Sequence, residues 1–152
     1  MIICADIVGA KKGERLEDIA EALGYVDYFF PNYEEAKELV KEKDIDKIAD
    51  VLLELGVKHV IIKTGRSGCL VKSKQLRVLV PGYQKANCID TTGAGDNFAS
   101  GFLCGLLEGK SLPECAAFAN CVASLAVEAV GATEGVQSRR QVDRRYQAYQ
   151  NL

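Results

Sequence analysis

Apolar residues along this chain recur with two different periods, and the alternation between them predicts the fold. "IICADI" (2–7) is a short apolar run of the kind that forms a buried strand, and "LEDIAEAL" (16–23) carries a helical stripe that stops at Gly24. "VDYFF" (26–30) reads as a strand closed by Pro31, and "YEEAKELVKEK" (33–43) as a charged helix. Ile45, Ile48, Val51, Leu52 and Leu55 then fall on one helical face, which Gly56 ends. "KHVIIK" (58–63) is the next strand, "GRSG" (65–68) a turn, and "CLVK" and "LRVLV" the arms of a hairpin. Past a loop over 81–92 the pattern turns helical, with "GDNFASGFLCGLLEG" (95–109), "SLPECAAFANCVASLAVEAV" (111–130) and "SRRQVDRRYQAYQ" (138–150). Ser111 with Glu114 has capping-box spacing, and Pro113 sits in the first turn, where its missing N–H costs little. Ser138 and Gln141 repeat the device. Strands alternating with helices predict an α/β layered sheet, largely parallel in its first half.

Composition narrows the class without naming a function. The 152 residues fit one domain, 48% are apolar and 26% charged, as in a soluble globular protein. A net charge of −2 with no basic stripe argues against nucleic acid as a partner. No apolar run approaches the ~20 residues of a membrane span. The N-terminus lacks the layout of a signal peptide, because its lysines follow the short apolar run. The expected location is the cytoplasm. Cys4, Cys69, Cys88, Cys104, Cys115 and Cys121 show no CxxC spacing and are expected to be mostly buried, reduced thiols. His59 is the only histidine and lies in a strand, so neither a zinc site nor a His-based triad is indicated.

The chemistry concentrates in "DTTGAGDNF" (90–98). It is not a dinucleotide fingerprint, since the third glycine position holds Phe98. Nor is "EGKS" (108–111) a Walker A loop, because Cys104 stands where that motif needs its first glycine. Gly93, Ala94 and Gly95 precede a helix, so their N–H groups are expected to be unpaired and able to hold an anion. Asp96 falls in the first turn, where the helix dipole favours negative charge. A carboxylate beside an anion site is placed to take a proton from a hydroxyl that attacks a phosphoryl group.

"DTTGAGDNFASGFL" resembles the second signature of the PfkB, or ribokinase-like, carbohydrate kinases. The resemblance implies a three-layer αβα fold with a mostly parallel sheet. It also implies transfer of the γ-phosphoryl group of ATP to a sugar or nucleoside hydroxyl. Asp96 would be the general base, and Gly93, Ala94 and Gly95 the anion hole. "FPNYEEAKEL" is similar to the family's NxxE motif, and implies that Asn32 and Glu35 organise Mg2+ and phosphate; by pattern alone they also read as a helix N-cap and its N3 partner. "IIKTGRSGCLV" resembles the strand and turn that touch the nucleotide, through Lys63, Gly65 and Gly68. "FANCVASLA" places Asn120 at the position near the adenine, and "VGATEGV" matches the GA loop at Gly131 and Ala132. A monovalent cation, K+ in kind, is implied beside the anion hole at Asp90, the carbonyl of Thr92 and carbonyls near Ala126, Ala129 and Gly131. The last position of that set, often a serine in the family, is Gly135 here.

The motifs correspond to the C-terminal half of a full family member, and residues 1–152 read as one partial domain. Such a half holds most of the ATP side and the base, while the lid and most sugar-binding residues belong to the other half. Two readings stand open: a phosphotransferase, and a non-catalytic module that binds nucleotide or assembles with another chain. A dehydrogenase is disfavoured by the absent third glycine. An uncovered sheet edge and face predict self-association or pairing with a missing N-terminal half.

Overall fold

A computed structural model describes residues 1–7 and 15–152, which fall into two compact units. The first comprises Met1–Thr64 and Leu70–Leu79, the second Gly65–Cys69 and Val80–Leu152. The strands are β1 (Cys4–Ala5), β2 (Tyr28–Phe29), β3 (His59–Lys63), β4 (Gly68–Lys72) and β5 (Arg77–Pro81), and they form one sheet in that order. The helices are α1 (Leu16–Leu23), α2 (Tyr33–Val40), α3 (Ile45–Glu54), α4 (Ala94–Leu107), α5 (Leu112–Ala126) and α6 (Arg139–Gln150). The α/β expectation holds, and so does parallel pairing in the first half: β1 with β2 (Cys4 opposite Tyr28) and β2 with β3 (Tyr28 opposite His59).

The first two strands are shorter than their apolar runs. Their pairing nevertheless extends beyond the regular ladder, with the Asp27 N–H on the Ile3 carbonyl (2.8 Å) and the Phe30 N–H on the Ala5 carbonyl (2.9 Å). Pro31 has no N–H to continue the pattern. Phe29, Val60, Ile62 and Leu70 from the strands pack with Ile48 and Leu52 of α3, all fully buried. The lone histidine is structural, as expected: its ring stacks on Tyr28 at 4.6 Å between centroids and its Nδ1 lies 3.1 Å from the Asp27 carbonyl.

Asp46 at the start of α3 ties that helix to the hairpin. Its carboxylate accepts from Arg77 Nη2 (2.8 Å) and Nε (3.1 Å) and from Lys72 Nζ (3.1 Å). The Arg77 guanidinium first, and the Lys72 ammonium second, hold its pKa down to about 2. A depressed carboxylate contributes stability above its unfolded pKa of about 3.9, and loses it as pH falls through the folded value. The Asp46 side chain is about a third exposed and that of Arg77 about half, so we expect Asp46→Asn to cost only about 1 kcal/mol at pH 7. Urea midpoints should show that cost at pH 7 and show it shrinking between about pH 4 and pH 2.

In the second unit α4 and α5 approach closely because α4 turns glycines toward its neighbour. A Cβ on Gly101 would stand 2.9 Å from Val122 Cγ2, and one on Gly105 3.0 Å from the Cys115 Cα. This explains the small residues spaced four apart in "SGFLCG". Phe118, Val122 and Leu125 of α5 meet Val142 of α6 in a second core. No cysteine among the described residues is paired, and Cys69, Cys115 and Cys121 are buried. Burial pushes the Cys69 and Cys121 thiols up to about 12 and that of Cys115 up to about 11, which suits packing rather than nucleophilic work. Cys4 and Cys104 are only half-buried and Cys88 is exposed, so the expected burial holds for half of the six.

Candidate active site

The N-terminus of α4 is built unlike the other helix starts. Gly93 is its N-cap in the left-handed region (φ 73°), and Asp96 is its third residue. Acids occupy the same place in α1, α2 and α5, and each folds back onto its N-cap: Asp18 accepts from the Arg15 N–H, Glu35 from Asn32 and Glu114 from Ser111, all at 2.9 Å. Asp96 does not fold back in this way; it is exposed and no hydrogen bond or ion pair engages its carboxylate among the described residues. Within the helix the N–H groups of Gly95 and Asp96 have no carbonyl four residues back to bond. The Ala94 N–H is already spent on the Thr91 carbonyl (3.1 Å), which corrects its expected place among the unpaired donors. The tight turn at Gly93 brings that carbonyl within reach.

The residues before the helix are fixed by Asp90. Its Oδ2 accepts from the Gly131 N–H (2.9 Å), and its Oδ1 from the Thr92 N–H (2.9 Å) and hydroxyl (2.7 Å). These donors, Gly131 first, hold its carboxyl below the ordinary carboxylate range. The N–H groups of Ile89 and Asp90 both donate to the Val127 carbonyl, at 2.7 and 3.2 Å. Asp90, Thr92 and Gly131 therefore form one hydrogen-bonded block just before Gly93. Gly135 lacks a serine hydroxyl, and its backbone leaves no space for one: a Cβ there would lie 2.1 Å from the Leu125 carbonyl oxygen and 2.8 Å from that of Ala126.

Gly65 and Gly68 begin a second cluster in the same unit. Gly65 (φ 62°) opens an exposed single turn, and Gly68 (φ 108°) is buried against Val80–Gly82. Asn120 is buried, and its amide donates to the Pro81 (3.0 Å) and Val80 (3.3 Å) carbonyls. Its side chain holds the strand end rather than lying open. Tyr149 adds a bond from its hydroxyl to the Pro81 carbonyl (2.9 Å).

Asn32, Glu35 and Lys63 meet in the first unit, at the carboxyl ends of β2 and β3. Asn32 pairs with Lys63 in an isolated parallel bridge. Asn32 and Glu35 complete a capping box, which engages one carboxylate oxygen of Glu35. Lys63 Nζ sits 2.6 Å from Asp6 Oδ2, a partner just beyond β1 that no local pattern predicts. Asn97 is also absent from the sequence reading, although it follows Asp96 directly and lies four residues from Gly93. Among the described residues no cluster of His, Cys, Asp and Glu could hold a metal ion, and no helix is long and apolar enough to cross a membrane.

Comparison with known proteins gives this arrangement its class. Residues 4–139 match the model of the pfkB family carbohydrate kinases, and the chain belongs to that family. An uncharacterized sugar kinase of Archaeoglobus fulgidus is 38% identical over 121 residues, which are 80% of this chain and 48% of that protein. The ribokinase of Thermotoga maritima superposes with a TM-score of 0.85 at 32% identity, covering 96% of this chain and 49% of that one. Arabidopsis thaliana ribokinase, solved with ribose and ATP, gives 0.84 at 29% identity, covering 95% and 47%. The ribokinase-like fold is thereby shown, and the chain spans about half the length of these relatives.

Proposed function

We propose that this chain carries the ATP side of a sugar or nucleoside kinase, and that Asp96 is its general base. The observation that carries the reading is the Asp96 carboxylate, unengaged among the described residues, beside the N–H groups of Gly95 and Asp96 at a helix start where comparable acids serve as caps. The N–H groups of Gly95 and Asp96, reinforced by the helix dipole, would receive the transferring phosphoryl group. Asp96 would take the proton of the attacking hydroxyl. The turn at Gly65–Gly68 and Lys63 would serve the nucleotide, with Asn120 acting through the Val80–Gly82 segment that it holds. Glu35, through its remaining oxygen, and Asn32 would orient Mg2+, which supplies charge neutralisation on the phosphates. Backbone oxygens of Thr92, Ala126, Ala129 and Gly131 are hard donors of the kind that hold K+ rather than a transition metal. Asp90 would shape that site through the hydrogen bonds its carboxylate already makes.

The family membership supports kinase chemistry, and the ATP in the Arabidopsis relative supports the nucleotide. Because the chain spans about half of its relatives, the acceptor is proposed to be held largely by residues outside the motifs found here. The same fact favours a second reading, a nucleotide-binding module that works only in assembly. Calorimetry with MgATP is the first check. We expect saturable heat from the folded chain; a folded sample that gives none would argue against both readings.

A further inference from the structure

We propose that Asn97 is a positioning residue that locks the phosphoryl-transfer loop onto the loop at 131–134; the inference rests on the reading of Asp96 just given. The Asn97 amide donates to two carbonyls at once, that of Gly93 (2.8 Å) and that of Ala132 (2.6 Å). Its backbone N–H also donates to the Gly93 carbonyl, at 2.9 Å. The residue next to Asp96 thus grips the N-cap from both its backbone and its side chain. The grip has a physical reason. Gly93 has no side chain to cap its own helix, and Asp96 does not fold back to do so.

The two loops also run against each other, since a Cβ on Gly93 would lie 2.7 Å from the Ala132 carbonyl oxygen and 2.8 Å from its Cα. This approach puts two carbonyl oxygens within reach of one amide. Carbonyl dipoles that close need a donor between them, and a carboxamide NH2 carries two N–H groups. An aspartate at the same place only accepts, and an alanine does neither. Asp90 cannot take over the task, because a carboxylate has no N–H to donate and its oxygens already accept from Gly131 and Thr92. Loss of the Asn97 tie releases the first turn of α4, and with it the direction in which Asp96 points.

The test compares the chain with its Asn97→Ala and Asn97→Asp variants by amide hydrogen exchange, melting midpoint and ATP consumption. We expect exchange at 92–95 and 131–133 to quicken about tenfold or more, with α5 unchanged. ATP consumption should fall about ten- to a hundredfold in kcat while KM for ATP stays within about twofold, since misplacing a reacting group by about 1 Å costs on that scale. Unchanged exchange in both variants overturns the proposal, and so does a loss of rate that only follows a lowered melting midpoint. A wild-type chain that consumes no ATP sinks the reading of Asp96 instead. The exchange result then still decides the tie, faster supporting it and unchanged overturning it.

Discussion

Asp96→Asn is expected to leave the fold and MgATP binding intact and to remove phosphoryl transfer. The carboxylate makes no hydrogen bond among the described residues, so the amide breaks none there. What stability loses is the charge–dipole interaction at the helix start, about 0.3–1 kcal/mol. Asn cannot accept the proton of an attacking hydroxyl, and a general base contributes about 10²–10⁴-fold to rate. A melting curve, a MgATP titration and a rate measurement on one preparation check all three statements. Near-normal turnover by a folded variant would remove Asp96 from the role of base.

Gly68→Ala is expected to have the largest effect on stability. The backbone there has φ 108°, which an L side chain rarely adopts. An added Cβ would stand 2.0 Å from the Val80 carbonyl oxygen and 2.5 Å from the Gly82 nitrogen, and both contacts are backbone atoms that no rotamer can move away. Strain and overpacking each cost about 1–3 kcal/mol, so a total of about 3 kcal/mol or more is expected. The displaced Val80–Gly82 segment also carries the carbonyls that Asn120 and Tyr149 bond, so nucleotide affinity should weaken with stability. Gly65→Ala is the contrasting control: its φ is 62°, but nothing lies within 4 Å of an added Cβ, so it meets the backbone strain alone. Chemical denaturation of the two variants should separate them; equal midpoints would mean that crowding at Gly68 has been overstated.

Much of the fold was legible because local pattern and tertiary structure agree. Leu16–Leu23 is helical between the boundaries that its apolar stripe and Gly24 set. Ser138 accepts from the Gln141 N–H as its spacing predicts, but the Gln141 amide oxygen reaches one residue further back, to the Gln137 N–H. Where the reading failed, a distant partner had intervened. The helix expected over 111–130 stops at Ala126, and the carbonyl just beyond it, that of Val127, is taken by the N–H groups of Ile89 and Asp90. No window of sequence around Val127 contains that information. The site divides in the same way. Gly93 and Asp96 were readable from the loop motif and a helix start. The spent Ala94 N–H, the Asp6–Lys63 pair and the double bond of Asn97 depend on chain segments brought together by folding.

The most direct test of the proposed phosphotransferase is to follow the γ-phosphoryl group itself. The purified chain, shown to be folded and loaded with MgATP, would be incubated with ribose, fructose and adenosine, and products would be read by phosphorus NMR. The account predicts slow loss of the γ-phosphoryl group, partly to water and partly to a new phosphomonoester that requires the acceptor, all of it absent with Asp96→Asn. ATP that stays bound and uncleaved with every acceptor would contradict the kinase reading and leave a nucleotide-binding module in its place.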